Sequence, residues 1–416
     1  MPDTAVGDEA ELLILKTNKN YGYAKAVNII TPSPIRTEPS CPHFSKCGGC
    51  QLMAIDYNAQ LEFKKNVVKD ALLRLGKIDS DPDILGMEEP QRYRNKMVFP
   101  FNANGDWGFY RQRSHDVIPL SDCLLGDKLC AQIMDTISNH IKKYNISVYN
   151  EETHKGIMRR AFLRTTKDEI MVVLSANADS IPKSGELIEA ICKVSPKVSS
   201  IILNINKKRT NLVLGDKNVT LWGKDVLSAK LCGLSYEISP HSFFQINPVQ
   251  TEKLYNKAIE LADIGENDRV LDIYCGIGTI SLTTAKKAKS VIGVEIVPEA
   301  IENAKENAIR NGITNAEFYC SAAEDIVPQL LKDGESPDIV ILDPPRKGSD
   351  EATLSAIANA QPKRIVYVSC NPATLARDAQ FLTENGYNAE KVTAVDMFPH
   401  TVHVESVMLF TLNQRS

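Results

Sequence analysis

Between residues 269 and 411 the sequence returns seven times to a short apolar run. Most of these runs are separated by stretches with helical spacing. The runs cover 269–273, 290–295, 316–319, 339–342, 364–369, 389–396 and 404–411, and Val, Ile and Leu dominate them. Runs this short, apolar on consecutive residues rather than alternating, are strands covered on both faces. With helices between them they predict an α/β fold built on an open, mostly parallel sheet. A helix over 248–262 leads into it, and the pattern begins near Leu234.

The remainder is organised differently. Two short strands are expected within 11–38 around Asn18-Lys19-Asn20, before Thr31-Pro32-Ser33-Pro34 breaks regular structure. A cysteine-rich stretch follows from Cys41 to Cys50, then a helix over 57–75 with Gly76 just past its end. Residues 93–219 mix elements without regular alternation: a hairpin of 96–101 with 108–111, helices at 129–144 and 184–194, strands at 169–175 and 199–204. Four parts result: 1–40, 41–92, 93–233 and 234–416. A length of 416 residues accommodates them.

No run approaches the roughly 18 apolar residues of a membrane span. The acidic stretch from Met1 to Ala10 lacks the apolar core of a secretion signal. A cytoplasmic protein without membrane contact is expected. The net charge of −4 does not point to nucleic acid. Basic residues do cluster at Arg92-Tyr93-Arg94-Asn95-Lys96, Arg111-Gln112-Arg113, Arg159-Arg160 with Arg164, and Lys207-Lys208-Arg209. On charge alone these read as solvated faces.

Candidate chemistry sits at strand ends. Asp272-x-Tyr274-Cys275-Gly276-x-Gly278 follows the first strand and opens a helix, as a nucleotide-type cofactor loop does. It lacks the third glycine of a dinucleotide fingerprint. The second strand ends in Glu295, where a carboxylate can accept ribose hydroxyls. The fourth ends in Asp343-Pro344-Pro345-Arg346, a rigid loop at the ligand-binding edge. That signature favours a methyltransferase over a dehydrogenase. Cys370, in Ser369-Cys370-Asn371-Pro372, stands one strand further along the same edge, placed as a nucleophile. Glu405 opens the last strand, where a carboxylate in an apolar run is paired or functional. A spacing of two puts His403 on its face.

Ten cysteines are many for a reducing compartment, and Cys41, Cys47 and Cys50 fall within ten residues. That density argues for metal rather than disulfides. Spacing alone leaves zinc and an iron–sulfur centre equally open. Cys130, Cys192, Cys232 and Cys320 read as ordinary buried residues, and Cys275 belongs to the glycine loop.

Together these stretches, with Phe243-Phe244-Gln245-x-Asn247 and His403-Val404-Glu405, resemble the RNA uracil-5-methyltransferase family. Its members form 5-methyluridine with S-adenosylmethionine. The resemblance implies a Rossmann-like seven-stranded methyltransferase domain at 234–416, preceded by an α+β RNA-binding domain. The short N-terminal β segment is similar only to the last strands of an RNA-binding barrel, through Gly7-Asp8 and Tyr21-Gly22-Tyr23-Ala24-Lys25-Ala26. Two strands cannot close a barrel. By resemblance Cys370 adds to carbon 6 of uracil and Glu405 removes the carbon 5 proton. Gln245, Tyr274, Glu295 and Asp343 then contact the cofactor, and Thr279 lines the same pocket. Cys41, Cys47 and Cys50 with Cys123 look like the 4Fe–4S ligands of the branch acting on 23S ribosomal RNA. Such a centre is expected to be structural, clipping its segment to the α+β domain, in a protein that acts as a monomer. Rival readings are a transfer RNA enzyme and a non-catalytic RNA-binding iron–sulfur protein of the same fold. A cytosine enzyme is disfavoured, because it would place Pro-Cys where Pro345 is followed by Arg346.

Overall fold

A computed structural model describes residues 4–19, 21–112 and 114–413. Residues 1–3 of the acidic N-terminus, Asn20 of the expected turn, Arg113 of one basic cluster, and 414–416 lie outside the described residues.

β1 (Glu9–Thr17) and β2 (Gly22–Thr31) pair as an antiparallel ribbon. α1 (Tyr57–Leu75) begins where the Asp56 side chain accepts the N–H groups of Asn58 and Ala59. Its Val68 and Leu72 are fully buried against the C-terminal half of the chain. β3 (Asp83–Leu85) follows.

The middle of the chain holds β4 (Lys96–Pro100), β5 (Gly108–Tyr110), β6 (Val117–Pro119), α2 (Lys128–Lys143), β7 (Met158–Thr165), β8 (Ile170–Ala176), α3 (Ser184–Val194), β9 (Val198–Ile205) and β10 (Lys217–Gly223). A five-stranded sheet runs in the order β10-β9-β8-β7-β4, and the apolar stripes of α2 and α3 share its core. The expected hairpin of 96–101 with 108–111 shrinks to one bridge, Phe101 to Trp107. β4 pairs instead with β7, and β5 with β6. Both halves of the expected hairpin are strands. Their partners were decided by a core in which Met97 and Phe99 pack with Ala161 and Leu163 from distant sequence. β10 had no sequence signal: its side chains are mostly exposed, so no apolar pattern marks it.

β11 (Leu227–Leu231) and β12 (Leu234–Ile238) form a hairpin of alternating buried residues. Its two turn residues, Cys232 and Gly233, both have positive φ, which matches the twist of a tight hairpin. The boundary expected between residues 233 and 234 therefore falls at this turn.

The last part contains α4 (Pro248–Ala262), β13 (Arg269–Ile273), α5 (Thr279–Ala285), β14 (Ser290–Glu295), α6 (Pro298–Arg310), β15 (Ala316–Cys320), α7 (Ala323–Lys332), β16 (Ile339–Leu342), α8 (Glu351–Ala360), β17 (Arg364–Ser369), α9 (Pro372–Glu384), β18 (Tyr387–Val395) and β19 (Glu405–Leu412). The sheet order is β15-β14-β13-β16-β17-β19-β18-β3. All seven expected strands are present. β3, delivered by α1, adds an eighth, parallel to β18. β13 to β17 pair in parallel, and β19 runs antiparallel to both its neighbours. Helices cover both faces, so Val340, Ile341, Ile365, Val366 and Val368 are fully buried. The carboxyl ends of β13, β14, β16 and β17 meet at one edge, where ligands bind in such sheets. Because β19 is reversed, its first residue arrives at that same edge. Among the described residues no helix is long and apolar enough to cross a membrane.

Candidate active site

The glycine loop is assembled first. Tyr274 adopts a left-handed backbone (φ +66°), strained for a residue with a side chain. The conformation is held because the N–H groups of Tyr274 and Cys275 both donate to the Val294 carbonyl, at 2.9 and 3.1 Å. Gly278, at the start of α5, has φ +81°, and a Cβ there would lie 3.1 Å from the Phe318 ring. Only glycine fits without displacement. Glu295 faces this loop. Its carboxylate accepts the N–H of Gly276 at 3.3 Å and those of Ile296 and Val297 at 2.9 and 3.1 Å.

Beneath the loop Asp272 is fully buried. It accepts the Ser281 hydroxyl through one oxygen, while the other has no protein partner. Burial pushes its carboxyl up to about 7, and the charges of Asp343 and Glu295 add to that. Burial likewise raises Asp343, at the end of β16, to about 7. The Thr279 and Tyr255 hydroxyls are 3.2 Å apart, and the Tyr274 hydroxyl lies 3.0 Å from that of Ser349. Asn95 donates to the Gln245 backbone carbonyl at 2.9 Å. A concave glycine loop, a facing carboxylate and an orphaned buried oxygen make a cradle suited to a nucleoside-type ligand.

The position of Cys370, the candidate nucleophile, follows from how β17 ends. Asn371 caps α9 by accepting the Ala373 N–H at 3.1 Å, and Pro372 occupies the first helical position. Cys370 is the single residue between strand and cap. Ser369 pairs with Ser406 in the antiparallel β17–β19 register, so one further step sets Cys370 opposite Glu405. Burial pushes the Cys370 thiol up to about 11, and the Glu405 and Asp343 charges reinforce it. Glu405 is 4% exposed and is pushed up to about 8 by burial and then by Asp343. The Arg346 guanidinium opposes both shifts. Sequence reading quoted Arg346 without a role; its charge is the one that favours the reactive, ionised forms. His403 departs from expectation. β19 starts at Glu405, so strand alternation does not reach His403, which is exposed with its ring 6.0 Å from that of Phe398.

The loop 396–403 before Glu405 carries the positioning groups that sequence reading missed. Lys64 of α1 donates to Asp396 and to the Phe398 carbonyl, the latter at 3.0 Å. Both side chains of that ion pair are fully buried. The Tyr57 hydroxyl donates to Asp396 at 2.7 Å. Asn247 donates to the Met397 carbonyl at 3.0 Å, and Gln250 to that of Asp396 at 3.1 Å. The N–H groups of Gln51 and Leu52, directly after Cys50, both donate to the His400 carbonyl at 2.9 Å. Lys64, four residues after Gln60 on one face of the helix, is the visible signal. It reads as a solvated face until its partner is known.

Cys41, Cys47, Cys50 and Cys123 line one cavity of about 400 Å³, together with Arg94 and Arg111. None is in a disulfide. The Gly48 N–H donates to the Tyr110 carbonyl at 3.2 Å, tying the segment to the β5–β6 hairpin. Burial pushes Cys50 up to about 12, and the other three thiols add to the shift. Among the described residues no group of three or more His, Cys, Asp or Glu side chains is arranged to hold a single metal ion. Four thiols on one cavity are soft donors whose chemistry suits zinc and iron–sulfur groups alike. Cys130 is buried as expected, whereas Cys192 and Cys232 are half-buried. Cys320 is exposed, because it ends β15 at the sheet's edge.

Several basic residues of the clusters are engaged within the protein. Arg92 pairs with Asp122 and Arg160 with Glu151. Arg159 is buried, not solvated: it lies 4.1 Å over the Tyr149 ring and donates to the carbonyls of Asn206, Lys208 and Thr210. Lys207 and Lys208 pair with Asp179 and Asp216.

Comparison with known proteins gives the family. Residues 56–413 match the family described as tRNA (Uracil-5-)-methyltransferase. An RNA methyltransferase of Clostridium tetani is 48% identical over 412 residues, 98% of this chain and 90% of that protein. One of Listeria innocua is 45% identical over 99% of this chain and 92% of its own length. Among solved structures, the Pyrococcus abyssi tRNA (uracil-54, C5)-methyltransferase in complex with S-adenosyl-L-homocysteine superposes with a TM-score of 0.81. It is 28% identical and covers 99% of this chain and 94% of its own. The glycine cradle, the strand-end cysteine and the match across most of the chain lead to one assignment: the protein belongs to the RNA uracil-5-methyltransferase family and is an S-adenosylmethionine-dependent RNA methyltransferase.

Proposed function

We propose that this enzyme methylates carbon 5 of a uridine in 23S ribosomal RNA through a transient bond between Cys370 and the uracil ring, with Glu405 as base. The observation that carries the proposal is the Ser369–Ser406 pairing, which brings the next residues, Cys370 and Glu405, within reach of each other's charge at the edge shared with the glycine loop. Carbon 5 of uracil is too weak a nucleophile to take a methyl group unaided. Addition of the Cys370 sulfur to carbon 6 makes carbon 5 enolate-like and nucleophilic. Glu405 then takes the carbon 5 proton, and elimination releases Cys370 as thiolate. A carboxyl raised to about 8 is a base matched to near-neutral pH.

S-adenosylmethionine, when bound, supplies the electrophilic methyl. We assign Gln245, Tyr274, Thr279, Glu295 and Asp343 to holding it. The orphaned Asp272 oxygen and the Gly278 cradle support that assignment. We assign Cys41, Cys47, Cys50 and Cys123 to a 4Fe–4S centre that braces the segment reaching from the β5–β6 hairpin to the loop before Glu405. The cavity they line supports it. The enzyme is proposed to act as a cytoplasmic monomer. Transfer RNA is the second reading, favoured by the similarity to the archaeal tRNA enzyme.

Methyl transfer to unmodified transcripts of 23S ribosomal RNA and of transfer RNA, with 5-methyluridine mapped in each, tests the substrate. Exclusive modification of transfer RNA would replace the first reading with the second. Cys370→Ala should form no covalent adduct with RNA containing 5-fluorouridine; an adduct in that variant would remove the assigned nucleophile.

A further inference from the structure

Two cations of the α+β domain have no counter-charge among the described residues. Lys96 on β4 and Arg164 on β7 are cross-strand partners in the antiparallel register, so their side chains leave the same face of the sheet. Like charges placed directly opposite are destabilising. Arg164 is 4% exposed. Its guanidinium lies 5.4 Å from the Phe162 ring centre and makes one hydrogen bond, to the Ser242 carbonyl. Its Nε–H is buried without a partner. Lys96 is half-buried and forms no ion pair among the described residues. Burial and the neighbouring charges of Arg164 and Arg94 lower its pKa, and no carboxylate acts on either residue. Arg94 faces the cysteine cavity and adds positive potential without closing the site.

Desolvated cations without a partner are costly, and a fold keeps them where an anion arrives. The location says which anion. Arg164 holds Ser242, Asn95 next to Lys96 holds Gln245 and Ile246, and between these anchors Phe243 stands 68% exposed. Lys96 and Arg164 therefore flank the segment that exposes Phe243 and runs on to Asn247, which donates to the Met397 carbonyl in the loop before Glu405. Of the basic clusters, Arg92, Arg160, Lys207 and Lys208 form ion pairs and Arg159 is held by carbonyls, so these five are engaged within the protein.

We propose that Lys96 and Arg164 form a binding site for one backbone phosphate of the RNA, next to the uridine that enters the pocket. The proposal rests on RNA being the substrate and deepens that reading. A uridine drawn out of its stack must have its backbone held while its base is displaced. Arg164 supplies a forked donor and Lys96 a point charge, the combination that fixes a phosphodiester.

The test uses the intact chain and a labelled unmodified RNA transcript that it methylates, or, if it methylates none, a 20-nucleotide uridine-containing single strand. Binding is measured across a salt series for wild type, Lys96→Gln, Lys96→Arg and Arg164→Lys. Loss of one phosphate contact should lower the slope of log K against log salt by about 0.7. Lys96→Gln should show that decrease and raise KM for RNA about tenfold, with KM for S-adenosylmethionine unchanged. Lys96→Arg should restore the slope. Arg164→Lys, which keeps the charge at a site where glutamine could disturb folding, should keep the slope and lose affinity. An unchanged slope in Lys96→Gln overturns the proposal. So does a KM change confined to S-adenosylmethionine, which would assign the cations to the cofactor's carboxylate. Wild type that binds RNA with the predicted slope but transfers no methyl would remove the catalytic reading and leave this site standing.

Discussion

Replacing Lys64 by methionine isolates the strut behind Glu405, the proposed base. Lys64 and Asp396 are both fully buried, and they join α1 to the loop that leads into Glu405. Lys64→Met keeps the apolar stem but leaves Asp396 with the Tyr57 hydroxyl at 2.7 Å as its remaining side-chain donor among the described residues, and it leaves the Phe398 carbonyl held by Thr401 alone. Removing one member of a buried pair costs about 3–5 kcal/mol, chiefly because an uncompensated charge remains. Adding Asp396→Asn removes that charge and keeps an acceptor for Tyr57, so the double variant should recover about 2 kcal/mol or more. The pair also anchors residues 396–400. The rate of Cys370 adduct formation with 5-fluorouridine RNA should therefore fall about tenfold in Lys64→Met, equivalent to about 1.4 kcal/mol in the barrier. Urea unfolding followed by circular dichroism gives the stability, and a gel-shift time course gives the rate. Lys64→Met within about 1 kcal/mol of wild type, with a double variant no better, would refute the reasoning.

Three further outcomes follow from the same geometry. Glu405 is raised to about 8 from the usual carboxylate value near 4.5, so the folded state holds a proton that the unfolded state has released. Its contribution to stability is present below pH 4.5 and lost as pH rises toward 8; Glu405→Gln should flatten that part of the pH–stability curve. The rate should move the opposite way, rising with pH through about 8 as Glu405 ionises and still rising toward the Cys370 value near 11; Arg346→Gln should shift this rise to higher pH, as a pH–rate profile would show. Gly278→Ala forces a side chain into φ +81° and to 3.1 Å from the Phe318 ring, so calorimetry should find S-adenosylhomocysteine binding at least tenfold weaker with the fold intact.

The sequence by itself determined the α/β sheet, because strands buried on both faces must be continuously apolar and the helices between them must be amphipathic. It also placed Cys370, Glu295, Asp343 and the glycine loop at strand ends, since each terminates an apolar run that can end only at the sheet's edge. These are local properties, written in consecutive residues. Tertiary structure alone decided the rest. β4 took β7 rather than β5 as its partner, and β3 joined the sheet from 310 residues away in sequence (Asp83 beside Thr393), because partner choice depends on which cores form and no local spacing encodes that. The reversal of β19 brought Glu405 to Cys370, and α1 supplied the buried lysine that holds the loop before it. Arg159 and Lys96 look alike as charges in a string. Folding surrounded one with carbonyls and left the other facing Arg164. Whether a charge is spent inside the protein or kept for a ligand depends on what packs around it, and only the assembled chain contains that.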